Sequence, residues 1–218
     1  MTFKKTIRTQ SILGLKKTLA NNIIEKLNAR INYLNFTHDV NLKLVTDDGS
    51  GISAFWRFIF TKGKTNYIIL SGPKKKDVEE VIGYAGTDIA LLAQDLGLSV
   101  SWFLNPISKS IVKHIADGEV TFGIIAIGYG KQQSVCRCNK TADEVCSYDG
   151  TQPEWFKNGI KSALGALTLM PEPDFRFLGK DNMVILANYS QGKYSAYEKG
   201  IVKYHFEVGA GRDNFVWE

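Results

Sequence analysis

Residues 83–102 read GYAGTDIALLAQDLGLSVSW, and the fold turns on this stretch. Between Ile89 and Leu96 it is apolar almost all round instead of on one stripe, the pattern of a helix buried at the centre of a domain. Gly97 supplies a C-terminal stop. Upstream, Val78 and Ile82 prolong the inward face, so a helix is predicted over 76–97. Thr65 to Ser71 (TNYIILS), closed by Gly72-Pro73, is a short β-rich run and predicts a strand. Val100 to Leu104, after the helix, reads as strand or extended chain.

The same rules extend in both directions. Leu19, Ile23, Leu27 and Ile31 recur every four residues, with Ile24 and Leu34 beside them, and predict a helix over 18–34. Residues 35–56 are polar, and Asp47-Asp48-Gly49-Ser50-Gly51 predicts a turn or loop. Ile107 to Ala116 reads as a short helix ending near Gly118. Val120 to Ile127 is a continuous apolar run, as expected of a strand inside a sheet. Phe156 to Leu169 predicts a helix, Met183 to Ala187 a strand and Lys199 to Gly209 a last helix, with a tail from Gly211 to Glu218.

Two stretches share one order of features. Tyr67-Ile-Ile-Leu-Ser leads through a polar loop to Gly83 and a helix ending at Gly97. Met183-Val-Ile-Leu-Ala leads through Ser190-Gln191-Gly192-Lys193 to Gly200 and a helix ending at Gly209. Two explanations stand side by side: a common α/β unit used twice, or two structural halves in one chain that imitate a dimer.

Composition bounds the rest. The 218 residues suit one large domain or a tightly fused pair of halves, and 44% hydrophobic with 11% aromatic content is enough for a core. No apolar run reaches the roughly 18 residues of a membrane span. Met1-Thr2-Phe3-Lys4-Lys5 has no long apolar stretch behind its lysines, so a cytoplasmic location is expected. The net charge of +5 is spread along the chain. Lys74-Lys75-Lys76 is a basic run, read as a solvated loop after Gly72-Pro73, and no basic helix supports nucleic-acid binding. Cys136, Cys138 and Cys146 form a C-x-C-x7-C pattern. An odd count argues against a disulfide framework, and without a C-x-x-C pair no metal site is assigned. His38, His114 and His205 are isolated in the sequence, and no nucleophile elbow, P-loop or paired catalytic carboxylates are visible.

Four segments carry a resemblance to a known family. Lys4-Lys5-Thr6-Ile7-Arg8-Thr9 is similar to the opening Arg-Arg/His-Ser-Val-Arg of the nitroreductases. Gly83 to Gly86, with Leu91 to Trp102, resembles their central helix and its Leu-Gly-Leu-Gly-Thr-Cys-Trp ending. Phe122 to Gly128, with Arg137 to Val145, resembles their Ile-Gly-Tyr strand and the basic and acidic stretch after it. Pro153 to Phe177 and Gly200 to Glu207 resemble the subfamily that carries Ala-Pro-Thr-Ala-x-Asn-Gln-Gln in its second half.

This resemblance implies an α+β, nitroreductase-like α/β/α fold with a central mixed or antiparallel sheet flanked by helices. It implies FMN as cofactor, NAD(P)H as electron donor and nitro, quinone or related small molecules as acceptors. Lys4, Lys5, Thr6 and Arg8 would meet the FMN phosphate with charge-assisted hydrogen bonds, joined by Arg137 and Lys140. The backbone at Leu104 and Asn105 would face the reactive edge of the isoalloxazine, and Thr168 would contact the cofactor. Because the flavin is the catalyst, no catalytic side chain is named. Partners are expected to be small molecules, not membrane or nucleic acid, with the protein a monomer or a homodimer. The family's Asn-Gln-Gln amides are replaced by Pro171, Glu172 and Pro173. Proline has no side-chain donor, and an ionised Glu accepts but does not donate. A flavin-free binding or regulatory protein of the same fold is the alternative this departure supports.

Overall fold

The computed structural model describes residues 18–46, 66–104, 115, 117–130, 140–166, 175–188 and 194–218. The expected turn at 47–51 and nearly all of the expected helix at 107–116 lie outside these residues.

Helix α1 (Asn21–His38) buries the stripe Ile23, Leu27, Ile31 and Leu34. It runs four residues past the end that periodicity sets, because the turn after Leu34 has another task. The Asn35 amide donates to the Leu42 carbonyl at 3.0 Å and accepts from the Leu42 N–H at 2.7 Å. The helix stops where Asp39 turns left-handed, at φ 51°. The chain then enters strand β1 (Asn41–Val45), inside the segment 35–56 expected to be polar loop. Strand β1 pairs antiparallel with β2 (Asn66–Pro73).

Helix α2 (Val78–Asp95) follows β2 and is the central helix expected from residues 83–102. Ile82, Ala85, Ile89, Ala90 and Ala93 on it are fully buried. Strand β3 (Ser99–Phe103) and strand β4 (Glu119–Gly128) complete a first sheet of order β1-β2-β4-β3, antiparallel throughout. Both faces of this sheet are packed. Ile68, Leu70, Ile125 and Ile127 point into the core beneath α1 and α2. Tyr67, Ile69, Ile124 and Ala126 form a separate cluster on the opposite face.

The second sheet has the order β5-β6-β7-β8. A single turn, α3 (Ala142–Val145), opens with a capping box between Thr141 and Glu144 and leads into β5 (Cys146–Asp149). Helix α4 (Glu154–Leu164) ends five residues before the expected Leu169, where Gly165 and Ala166 close the last turn with hydrogen bonds to Ser162 and Ala163. Strand β6 (Phe175–Lys180) pairs with β5 in parallel and with β7 (Met183–Asn188) antiparallel, through a tight turn at Asp181. Helix α5 (Ser195–Ala210) then crosses back, a 3-10 turn spans Arg212–Asn214, and β8 (Val216–Trp217) joins β7 in parallel. Strands β5, β6 and β8 were not foreseen. They are two to six residues long, too short for a period to show.

The two sheets meet through their helices. On α2, a Cβ at Gly83 would lie 2.2 Å from the Tyr197 carbonyl oxygen; on α5, a Cβ at Gly200 would lie 1.9 Å from the Glu80 carbonyl oxygen. The helices touch backbone to backbone, which requires glycine at both points. Around the contact, Glu80 takes Lys199 at 2.7 Å and Lys203 at 2.5 Å. The Tyr84 hydroxyl donates to Glu207 at 2.5 Å, and Arg212 and the Trp217 indole reach the same carboxylate at 2.7 and 2.8 Å. Tyr197 and Tyr204 of α5 pack into the first core.

Candidate functional site

Two of the nine expected cofactor residues lie among the described ones. Lys4, Lys5, Thr6, Arg8, Asn105, Arg137 and Thr168 lie outside them, as do Pro171-Glu172-Pro173. Leu104 follows β3, one residue past its last ladder pair, Phe103 with Ile124. Its side chain turns inward: a Cβ on Gly123 would lie 2.6 Å from Leu104 Cδ2. A bulky residue is therefore accommodated because its bulk fills the space glycine leaves in β4. The backbone of Leu104 stands one residue beyond that last ladder pair.

Lys140 immediately precedes the capping box, and its charge acts on the Glu144 carboxylate. The hydrogen bonds from Thr141 hold Glu144 below the usual carboxylate range, with Lys140 adding to them. Ala20 and Tyr129 are joined by a hydrogen bond of 3.3 Å from the Ala20 N–H to the tyrosine hydroxyl.

A cavity of about 490 Å³ opens along the junction between the two halves. Lys74, Asp77, Val120, Thr121 and Phe122 line it from one side and Tyr197 from the other. Its floor is set by local geometry. Strand β2 ends at Pro73, Lys75 closes a turn onto the Pro73 carbonyl, and Asp77 takes a left-handed conformation (φ 62°) before α2 starts. Phe122 and Tyr197 meet edge to face at 6.2 Å. Burial, with Glu79 nearby, pushes the Tyr197 phenol upward, so it stays protonated and able to donate. The Thr121 hydroxyl is buried without a hydrogen-bond partner among the described residues. Lys75 is held by Asp39 at 2.6 Å. Four charged side chains, Lys74, Lys75, Asp77 and Glu79, share the lining with the two aromatic rings. Lys74, Lys75 and Lys76 are all exposed, as expected of a solvated loop after Gly72-Pro73.

Three other groups stand apart. Arg30 on α1 grips the buried Asp88 of α2 with two hydrogen bonds, one of them 2.7 Å from Nε to Oδ1. His205 on α5 is fully buried with neither ring nitrogen bonded among the described residues, and burial lowers its pKa to about 4, so it is neutral. Cys146 is buried, receives a 3.5 Å hydrogen bond from Gln152, and is raised by burial above the ordinary thiol value. Among the described residues no three His, Cys, Asp or Glu side chains are grouped to hold a metal. No helix among them is long and apolar enough to cross a membrane.

Comparison with known proteins gives a consistent result. A family model described as "Putative TM nitroreductase" matches residues 14–210. Among solved structures, a putative nitroreductase (tm1586) from Thermotoga maritima superposes with a TM-score of 0.66 at 12% identity, over 96% of this chain and 82% of its own. A nitroreductase family protein from Streptococcus pneumoniae aligns at 12% identity over 65% of this chain and 95% of its own, with a TM-score of 0.48. An FMN-dependent nitroreductase from Clostridium difficile aligns at 18% identity over 58% and 86%, with a TM-score of 0.44. No curated protein sequence matches. The family match covers most of the chain, and the fold is shared end to end with the Thermotoga protein, so this chain belongs to the TM nitroreductase family.

Proposed function

We propose that this protein is an FMN-dependent NAD(P)H oxidoreductase that reduces nitro, quinone or related small acceptors. The observation that carries the reading is Leu104: its side chain is consumed by Gly123 while its backbone lies past the end of the β3 ladder. Bound FMN would supply the redox chemistry, taking a hydride from the nicotinamide and passing electrons to the acceptor. The chain would supply binding and exclusion of water. Lys4, Lys5, Thr6, Arg8, Arg137 and Lys140 would hold the phosphate through charge-assisted hydrogen bonds. The backbone at Leu104 and Asn105 would face the ring, and Thr168 would contact it. The reading carries with it a cytoplasmic protein whose partners are small molecules.

Purified protein from riboflavin-fed cells is expected to be yellow, with the two-band flavin spectrum. Added FMN is expected to be quenched on binding, and Arg8→Ala to weaken it by about tenfold or more. NADH or NADPH oxidation should then depend on menadione or nitrofurazone. Colourless protein that leaves FMN fluorescence unchanged would instead establish the second reading, a flavin-free small-molecule binding protein. Pro171, Glu172 and Pro173, standing where the family has amide donors, favour that reading.

A further inference from the structure

We infer that this chain is a fused dimer: two copies of one α-β-β-α-β unit, joined through equivalent helices, so that its own second copy occupies the surface where a separate subunit would dock. The order α1-β1-β2-α2-β3 is repeated as α4-β6-β7-α5-β8. The spacing repeats as well. Strands β2 and β7 begin at Asn66 and Met183, helices α2 and α5 at Val78 and Ser195, and strands β3 and β8 at Ser99 and Val216. These three second-copy elements start 117 residues after their counterparts, while α4 and β6, ahead of them, start 133 and 134 residues after α1 and β1.

The contact between the copies obeys the same offset. Gly83 touches Tyr197, and Gly200 touches Glu80. Gly83 and Gly200 are equivalent positions, and so are Glu80 and Tyr197. Residue i therefore meets residue j of the other copy while j meets i, the signature of a two-fold, isologous interface. A shared α/β unit used twice does not require such reciprocity; a two-fold does. The copies have also diverged. In the first, β4 lies between β2 and β3; in the second, β8 pairs directly with β7. Asp88, which binds Arg30, stands where the second copy has the unpaired His205.

The inference does not depend on the flavin reading, and the full-length protein tests both separately. Sedimentation equilibrium is expected to return the 24.3 kDa of one chain. The Tm is expected to be the same across a hundredfold range of protein concentration, because an interface inside one chain has no mass-action term. A stable species of twice that mass, with a Tm that rises with concentration, would overturn it. FMN is the probe for the site: one FMN per 24.3 kDa particle is expected. Half an FMN per chain, with both chains required, would also overturn it. A monomer that binds no FMN upholds the fused dimer and removes the flavin reading. Gly83→Ala and Gly200→Ala are expected to lower Tm comparably, without creating a dimer. A large drop for one and none for the other would contradict equivalent positions.

Discussion

The two sheets of this protein solve the same packing problem differently. The first is a middle layer. Ile68 and Leu70 face the helices, Tyr67 and Ile69 face the other way, and all four are completely buried. The second has one packed face and one open one. Val184 and Leu186 pack beneath α4 and α5, while Met183, Ile185 and Val216 keep 38%, 37% and 53% of their surface exposed. The difference is written in the side-chain pattern. A strand buried on both sides is apolar at every position, and one buried on a single side alternates. Between the sheets, the α2–α5 junction is held by neither pattern but by two glycines.

The junction predicts the largest effect. Gly200→Ala places a methyl 1.9 Å from the Glu80 carbonyl oxygen, so the helices must separate. The expected loss is about 3 kcal/mol or more, read as a lower urea midpoint. A neutral result would mean that the helices do not touch there.

The sheets themselves come next. Ile69→Ala, fully buried in the first sheet, should cost about 3 kcal/mol, within the range for emptying a packed site. Ile185→Ala, on the open face of the second, should cost less than about 1 kcal/mol. Equal losses in paired urea titrations would show that the open face is covered in solution.

His205 gives the second half a pH dependence. Its folded pKa, about 4, lies below the ordinary 6.5. The unfolded chain therefore binds the proton more readily, and stability falls as pH drops from about 6.5 towards 4. The full span is about 3 kcal/mol. His205→Leu should flatten the wild-type decline across that interval in urea midpoints taken at successive pH values. A variant as acid-sensitive as the wild type would place the titrating group elsewhere.

The smallest effect is at the rim of the junction. Burial alone would raise the Glu80 pKa, but hydrogen bonds from Lys199 and Lys203 outweigh it and hold the carboxylate below its ordinary 4.5. That contribution is present above the ordinary value and disappears as pH falls beneath it. Glu80→Gln should cost about 1 kcal/mol at neutral pH and converge with the wild type in acid. A gap that persists at low pH would point to packing instead of charge.

Much of this architecture is legible without coordinates. The central helix, the strands at Asn66–Pro73 and Glu119–Gly128 and the last helix each carry a run long enough to declare itself. Strand β1 was hidden because its partner in the preceding helix is the amide of one residue, Asn35. Strand β8 was hidden because two residues have no period. Of the residues that the family pattern proposes for the site, Leu104 and Lys140 are among the described ones. Bulk at that position reads as a departure from glycine until the space left by Gly123 is seen.

The sequence by itself determined the family, the central and last helices and the two long strands of the first sheet, since these depend on local pattern and residue type. It also suggested that two stretches were alike. Only the tertiary structure decided what that likeness means. Reciprocal contact is a relation between residues 114 positions apart, Gly83 with Tyr197, and 120 apart, Gly200 with Glu80. A glycine looks the same in a sequence whether it ends a turn or lets two helices touch. Which of these it does is set by the atom that stands where its Cβ would be.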